Sequence, residues 1–370
     1  MIERLYIHNF RCLDNFVLPV DGLPSSLLVG KNGSGKSSIG FALEILQKIG
    51  RGTNRLRHLI EPHEIRHGHT AEPVRIQLEV RIGGVGFDYE LALELPENFK
   101  ELRVLEETLR IDGVQKFTRN VAELRFPKEG GESASMSYDW HLIWLSAAQA
   151  RSEDDPLDVF RKWLARMLIV RPYPLGISGN SSEGTLNPLP DMSNFGDWWT
   201  GLLSHSPSSY ASIDKALKTL MSDLKDIKNP VIAKESRSLE IQFEQDGKTM
   251  TLPFGLLSDG EKCMLIWSLV MAANEAYGPL LCFWDEPDNY LAMSEVGDFA
   301  TDLRRAFGKE KGGQFLGTSH NAEVVRKFSD ANTFVLFRRN HREPTQVRPL
   351  KEIVYEGDLI SALVRGEIEP

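Results

Sequence analysis

The sequence predicts an α/β fold with a mostly parallel core sheet, and three observations carry that expectation. Gly30-Lys31-Asn32-Gly33-Ser34-Gly35-Lys36-Ser37 fits the phosphate-binding pattern G-x-x-x-x-G-K-[ST]. Leu280-Leu281-Cys282-Phe283-Trp284 is an apolar run closed by Asp285 and Glu286. A fully buried parallel strand looks like that, and its end falls at the sheet edge where ligands sit. Val74–Val80, Phe87–Leu95 and Leu102–Ile111 alternate apolar and polar residues. They predict an antiparallel β subdomain over 74–126, with Asp112-Gly113 as a hairpin turn.

The glycine-rich stretch has the flanks its pattern needs. Leu27-Leu28-Val29 suits a buried strand before it. Ile39, Leu43 and Leu46 recur at helical spacing after it, and Gly50 stops that helix. Glycines let successive N–H groups turn into one concavity, and the helix N-terminus adds its own free donors. Lys36 is placed to reach β- and γ-phosphates and Ser37 to offer a hydroxyl to Mg²⁺. Residues Gly30 to Ser38 are the candidate phosphate cradle.

Bulk composition limits the alternatives. The chain has 370 residues, 41% hydrophobic and 26% charged, enough for one large α/β domain with insertions. A formal charge of −9 disfavours a wholly basic nucleic-acid-coating surface, though not a local basic groove. Cys12, Cys263 and Cys282 are scattered and read as small core residues of a reducing compartment. Met1-Ile2-Glu3-Arg4-Leu5 does not read as a signal peptide, and no apolar run reaches the ~18 residues of a membrane span. A cytoplasmic location is expected.

Taken in order, residues 2–10 and 15–19 predict a hairpin leading into the first core strand. Residues 50–71 are polar and basic, with Arg51, Arg55, Arg57 and Arg66 among His58, His63, His67 and His69. No cysteine or carboxylate framework accompanies those histidines, so a solvated loop touching a partner or nucleic acid is favoured over a metal site. Residues 127–137 predict a loop. Helices are expected over Asp158–Met167, Phe195–Leu203 and Ile213–Ile227, and a hairpin around Gln245-Asp246-Gly247-Lys248.

The second half of the chain supplies complementary chemistry. Asp285 is placed to hold Mg²⁺ through water, and Glu286 to act as general base or to polarise the attacking water. Ser258 and Glu261 form a capping box before an apolar helix over Met264–Ala276. Its N-terminus also offers free N–H groups, and Gly260 permits close approach of a phosphate. Gln314-Phe315-Leu316-Gly317 reads as another buried strand, ending in Thr318-Ser319-His320-Asn321. His320, at the same edge, could hydrogen-bond a γ-phosphate.

These motifs, in this order, resemble the ABC-type ATPase heads of the branch shared by SMC-like proteins, RecF and OLD-like ATPases. Gly30–Ser37 resembles Walker A, Leu257–Glu261 the signature motif, Phe283–Glu286 Walker B, Pro287–Leu291 the D-loop and His320 the switch histidine. Asp259 stands where many members carry Gly or Gln. Ile7-His8-Asn9-Phe10-Arg11 is similar to the family's opening I-x-N-F-R. The resemblance covers roughly 1–50 and 250–340. It implies a head with a nucleotide-binding core over 1–50 and 250–345, the antiparallel β subdomain, a helical lobe inserted over 127–250 and a tail over 346–370. It implies ATP and Mg²⁺, Arg11 near the nucleotide, Gln149 as the nearest Q-loop glutamine on the metal, and Ser258 and Gly260 acting across a homodimer that sandwiches two ATP molecules. Size and compactness look most like the small ATPases associated with nucleases in prokaryotic anti-phage defence. The expected partners are a second copy or higher oligomer, a nuclease or toxin, or DNA. A RecF-like repair factor and a nucleotide-gated scaffold with little turnover are the alternatives, and no membrane role is expected.

Overall fold

In the computed structural model, described over residues 1–128, 133–149, 152, 155–308, 312–328, 331–354 and 362, the chain divides into two compact units. One contains residues 1–167 and 330–370, the other 168–329.

In the first unit, β1 (Ile2–His8) and β2 (Phe16–Leu18) form the expected hairpin, and β3 (Ser25–Val29) runs into α1 (Lys36–Gly50). The alternating segments become β4 (Val74–Ile82), β5 (Val85–Glu94), β6 (Arg103–Ile111), β7 (Val114–Asn120), β8 (Glu123–Pro127) and β9 (Ser133–Ser137). They join the first hairpin in an eight-stranded sheet ordered β2-β1-β4-β5-β6-β7-β8-β9. Asp112 and Gly113 both take positive φ, 48° and 76°, the mirror-image turn that matches strand twist. The loop expected over 127–137 is instead the edge hairpin β8–β9, with residues 129–132 outside the described set. Strand β9 is mostly exposed, so nothing apolar marked it as a strand. Short helices α2 (Trp144–Ala147) and α3 (Pro156–Ala165) follow, and α3 packs on α1.

The second unit opens with β10 (Leu168–Val170) and β11 (Asn180–Ser181), then α4 (Phe195–His205) and α5 (Ser209–Leu220). Strands β12 (Leu224–Lys228), β13 (Val231–Ala233), β14 (Ser236–Ser238), β15 (Glu240–Gln245) and β16 (Lys248–Pro253) form two three-stranded sheets with β11. The helix expected over Ile213–Ile227 therefore stops at Leu220. Leu224 and Ile227 keep helical spacing with Leu217, but they are buried by pairing with Phe243 and Ile241 of β15. Tertiary pairing overrides the local pattern there. Helix α6 (Asp259–Tyr277) is buried nearly all round, from Cys263 through Val270. Next come β17 (Leu281–Trp284), α7 (Met293–Ala306), β18 (Gln314–Thr318) and α8 (Ala322–Phe328). Strands β10, β17 and β18 are mutually parallel and wholly buried.

The chain then returns to the first unit as β19 (Thr333–Phe337) and β20 (Gln346–Pro349). Strand β19 runs parallel to β3, with Val335 opposite Val29, and β20 is antiparallel to β19. Of the expected tail, residues 355–361 and 363–370 lie outside the described set. The cysteines carry no disulfide, and burial pushes the Cys263 thiol up to about 12, so it is an inert core group.

A buried polar knot ties the large sheet to the segment after it. The Glu107 carboxylate accepts N–H bonds from Trp144 and Leu145, both 2.9 Å, and the Tyr89 hydroxyl at 3.1 Å. Arg119 lies 3.7 Å away and donates to the carbonyls of Val121, Leu142 and Asp139; both charged side chains are fully buried. Burial pushes the Glu107 carboxyl up, and the two backbone donors oppose that. Removing one partner leaves the other charge buried. Glu107→Ala is expected to cost about 3–5 kcal/mol of stability, read from the urea midpoint. Adding Arg119→Met should restore part of that loss.

Candidate nucleotide site

The first half-site is the loop between β3 and α1. Gly35 caps α1 at φ 105°, φ at Gly30 is 148° and at Gly33 it is 78°. A Cβ on Gly30 would lie 2.1 Å from the Leu336 carbonyl oxygen of β19. A Cβ on Gly35 would lie 2.5 Å from Thr345 Oγ1 and 2.9 Å from Cys12 Sγ. No side chain fits either place, so glycine is demanded by sterics as well as by dihedral angle. The loop is braced from outside: Thr345 Oγ1 donates to the Ser34 carbonyl at 2.8 Å, and the Thr345 N–H donates to the Cys12 carbonyl at 2.9 Å.

Lys36 is buried, and its Nζ donates to the Gly30 carbonyl at 2.7 Å and to that of Lys31 at 3.3 Å. Ser37 is exposed at the helix start, with Lys31, Asn32 and Gly33 exposed across the loop. Ser34 Oγ is buried and has no hydrogen-bond partner, a donor held in reserve inside the cradle. Ser38 turns its hydroxyl to Cys12 Sγ at 3.5 Å. Arg11, at φ 53° in the turn after β1, packs against that helix: its guanidinium sits 3.7 Å from the Phe41 ring centroid. Its Nη2 is 2.6 Å from Glu64 Oε1, so much of its charge is already compensated.

Gln149 is elsewhere. It is exposed and lines a groove with Gln115, Lys116, Phe126 and Trp144, to which residues 30–38 contribute nothing. The four loop histidines are exposed too. Among the described residues, the group with metal-ligand spacing is His8, Asp14 and Glu72. Arg66 Nη1 lies 3.2 Å from Asp14 and already supplies the positive charge a cation would bring.

The second half-site lies in the other unit. The Asp285 N–H donates to the Val170 carbonyl, extending the β10–β17 pairing past Trp284. Buried Thr318, at the end of β18, donates to Asp285 Oδ1 at 2.6 Å and accepts the Glu286 N–H at 2.9 Å. One hydroxyl thus ties the Asp285 carboxylate to the Glu286 backbone. Glu286 sits at φ 50°, a conformation that costs a non-glycine residue about 1–3 kcal/mol. Its side chain accepts from Asn289 Nδ2 at 2.5 Å and lies 3.3 Å from His320 Nε2. Both Glu286 and His320 remain partly exposed and reachable by water. Asp288 is buried, which pushes its carboxyl up, while a hydrogen bond from Ser319 opposes that.

Ser258 caps α6 as expected. Its N–H and Oγ both donate to Glu261 Oε2 at 2.7 Å, and Oγ accepts the Glu261 N–H at 3.3 Å. A Cβ on Gly260 would lie 2.7 Å from the Tyr290 carbonyl, so the D-loop-like turn packs directly on the cap.

The structure therefore gathers Gly30–Ser38 and Arg11 in one unit, and Asp285, Glu286 and His320 in the other. It adds two threonines that sequence reasoning did not single out. Thr318 was legible only as the last residue of a strand, and Thr345 carried no signal. The cradle fits a nucleotide's phosphates: its backbone is closed to side chains, its lysine is buried and one of its hydroxyls is unpaired. Asp285, oriented by Thr318, fits a hydrated divalent cation.

No curated protein matches the chain by sequence. Among solved structures, an SMC head bound to the C-terminal winged-helix domain of ScpA is similar at TM-score 0.56 and 14% identity, over 95% of this chain and 99% of that one. The SMC head from Pyrococcus furiosus with an extended coiled coil, bound to the C-terminal domain of ScpA, gives 0.49 and 13% over 99% of each chain. The SMC head from Thermotoga maritima gives 0.42 and 16%, over 94% and 98%. At such identities the first of these shows a shared fold, the ABC-type head. A family model spans residues 25–326, from the strand before the phosphate loop to past His320. The chain belongs to the family described as "AAA domain, putative AbiEii toxin, Type IV TA system".

Proposed function

We propose that this chain binds and hydrolyses ATP, and that two copies close around two ATP molecules. The observation that carries the reading is the phosphate loop, sterically closed at Gly30 and Gly35, with buried Lys36 and an unpaired Ser34 hydroxyl. Backbone N–H groups at the start of α1 hold the β-phosphate, and Lys36 exchanges its carbonyl partners for phosphate oxygens. Ser37 and Asp285 are the residues for Mg²⁺, which when bound neutralises charge on the phosphate oxygens. Glu286 orients and deprotonates water, and His320 hydrogen-bonds the γ-phosphate while keeping Glu286 in place. Arg11 steadies the helix that carries the loop.

Ser258 and Gly260 serve the ATP of the partner copy. The Ser258 hydroxyl is exposed at a helix N-terminus, where an anion is favoured. Nucleotide state would then control assembly, and through it a protein effector such as a nuclease or toxin, in anti-phage defence. The toxin–antitoxin description of the family supports an effector role, and the ScpA complexes of similar heads support a protein partner.

A DNA-binding reading has one observation of its own. Arg66 Nη2 donates to the Arg342 carbonyl at 2.7 Å, so the basic 51–69 stretch and the 338–348 stretch meet in the first unit. Arg55, Arg57, Arg339, Arg342 and Arg348 are exposed there.

Glu286→Gln should lower ATP turnover by about 100-fold or more and leave an ATP-dependent dimer that persists in mass measurements. Undiminished hydrolysis would remove Glu286 from the role of base. Lys36→Ala should lose ATP binding itself, in a titration with fluorescent ATP. For the DNA reading, duplex affinity should fall steeply with salt, and charge reversal at Arg57 and Arg339 should flatten that slope; salt-independent binding, or none, excludes it.

A further inference from the structure

We propose that Arg338 is a second cationic contact for the nucleotide's phosphates, reaching the loop from the end of β19; this rests on the nucleotide-binding reading above. Strand β19 is parallel to β3, with Val335 opposite Val29, so both strands end at the same edge. Arg338 is the first residue past β19, and its Nη2 lies 3.4 Å from where a Cβ on Gly33 would stand. Gly33 is exposed in the middle of the loop, at φ 78°. The guanidinium thus lies against the loop beside the backbone donors.

What singles Arg338 out is its lack of a partner. Neighbouring arginines are engaged: Arg11 with Glu64 and Phe41, Arg66 with Asp14 and the Arg342 carbonyl, Arg348 over the Phe337 ring. Arg338 is half-buried and, among the described residues, has no hydrogen bond, ion pair or ring contact. A half-buried guanidinium without an anion is an expense the fold has no structural use for. Its planar fork of donors matches a pair of phosphate oxygens. Ser34 Oγ, buried and unpaired 2.9 Å from the Cβ position of Gly30, is a second unmet group in the same loop. An anion with several oxygens, seated on the loop, would satisfy both. The second source of charge, Lys36, approaches from inside the loop, so the two cations would hold a polyphosphate from different sides.

The test is equilibrium binding of fluorescent ATP, ADP and AMP to the full chain with Mg²⁺, at protein concentrations where mass measurement shows a monomer. Arg338→Ala should weaken ATP by about 10- to 100-fold, the range of charge-assisted hydrogen bonds, and AMP far less. Arg338→Lys should recover part of the ATP affinity. All variants should melt with the wild-type chain. Unchanged ATP affinity in Arg338→Ala overturns the proposal, and so does an equal loss for all three nucleotides, which would mean Arg338 only props the loop. A loss seen only in dimers would place Arg338 at the interface and overturn it as well. If the wild-type chain binds no nucleotide, the reading under Proposed function falls along with it.

Discussion

The half-site around the phosphate loop depends on one steric constraint: there is no room for a side chain at Gly30 or Gly35. The Leu336 carbonyl of β19 fills the space beside Gly30, and Thr345 and Cys12 fill that beside Gly35. Two regions far apart in sequence, around residue 12 and over 336–345, therefore close on the loop. The loop's shape is not a property of its glycines alone. They allow the turn, and the neighbours at residues 12, 336 and 345 decide which turn is made. That preorganisation matters for anion binding, because N–H groups already aimed inward need no further ordering when a phosphate arrives.

The other half-site uses a different device. There a buried hydroxyl, Thr318, donates to the Asp285 carboxylate and accepts from the backbone of Glu286. The left-handed conformation of Glu286 is sustained by that bond and by the Asn289 contact. Strain kept at one acidic residue, with the neighbouring strand locked, would aim the base proposed at Glu286 as well as supply it. His320 completes the aim by facing the same carboxylate. The capping box at Ser258 follows the same economy. The residue that caps the start of α6 is also the one that places a hydroxyl at its exposed end, where Glu261 holds it.

Legibility in the sequence followed the range of the interaction. Loop, core strands and capping box were readable because each is specified within about ten residues by periodicity or by a motif with mandatory flanks. The central antiparallel strands were readable because alternation survives when one face is buried. Strand β9 was missed because an exposed edge strand has no such face, and the end of α5 was misplaced because Leu224 and Ile227 satisfy a helical period while being buried by β15. Gln149 shows the limit of carrying a residue over by chain order: its neighbours are Lys116 and Trp144, not the phosphate loop. Thr345, Cys12 and Arg338 could not be found this way at all. Their partners lie some 20 to 310 positions distant, and only the parallel β3–β19 pairing brings the C-terminal segment to the loop.

Charge argues that this missed part matters as much as the motif. A triphosphate would bring several negative charges to a loop that holds two lysines, Lys31 and Lys36, in a chain whose formal charge is −9. Arg11, the other cation the sequence offered, is already paired with Glu64. Further balance must come from a cation that is close and uncommitted, and Arg338, just past β19, is placed as one. An acidic protein can attract an anion when its basic residues are gathered on one face of one unit, because the local potential rather than the net charge meets the ligand first. On this view strand β19 does two jobs. Its Leu336 carbonyl makes Gly30 obligatory, and two residues later it delivers a guanidinium to Gly33. The shape of the cradle and its charge then come from the same stretch of backbone, and neither could be altered without disturbing the other.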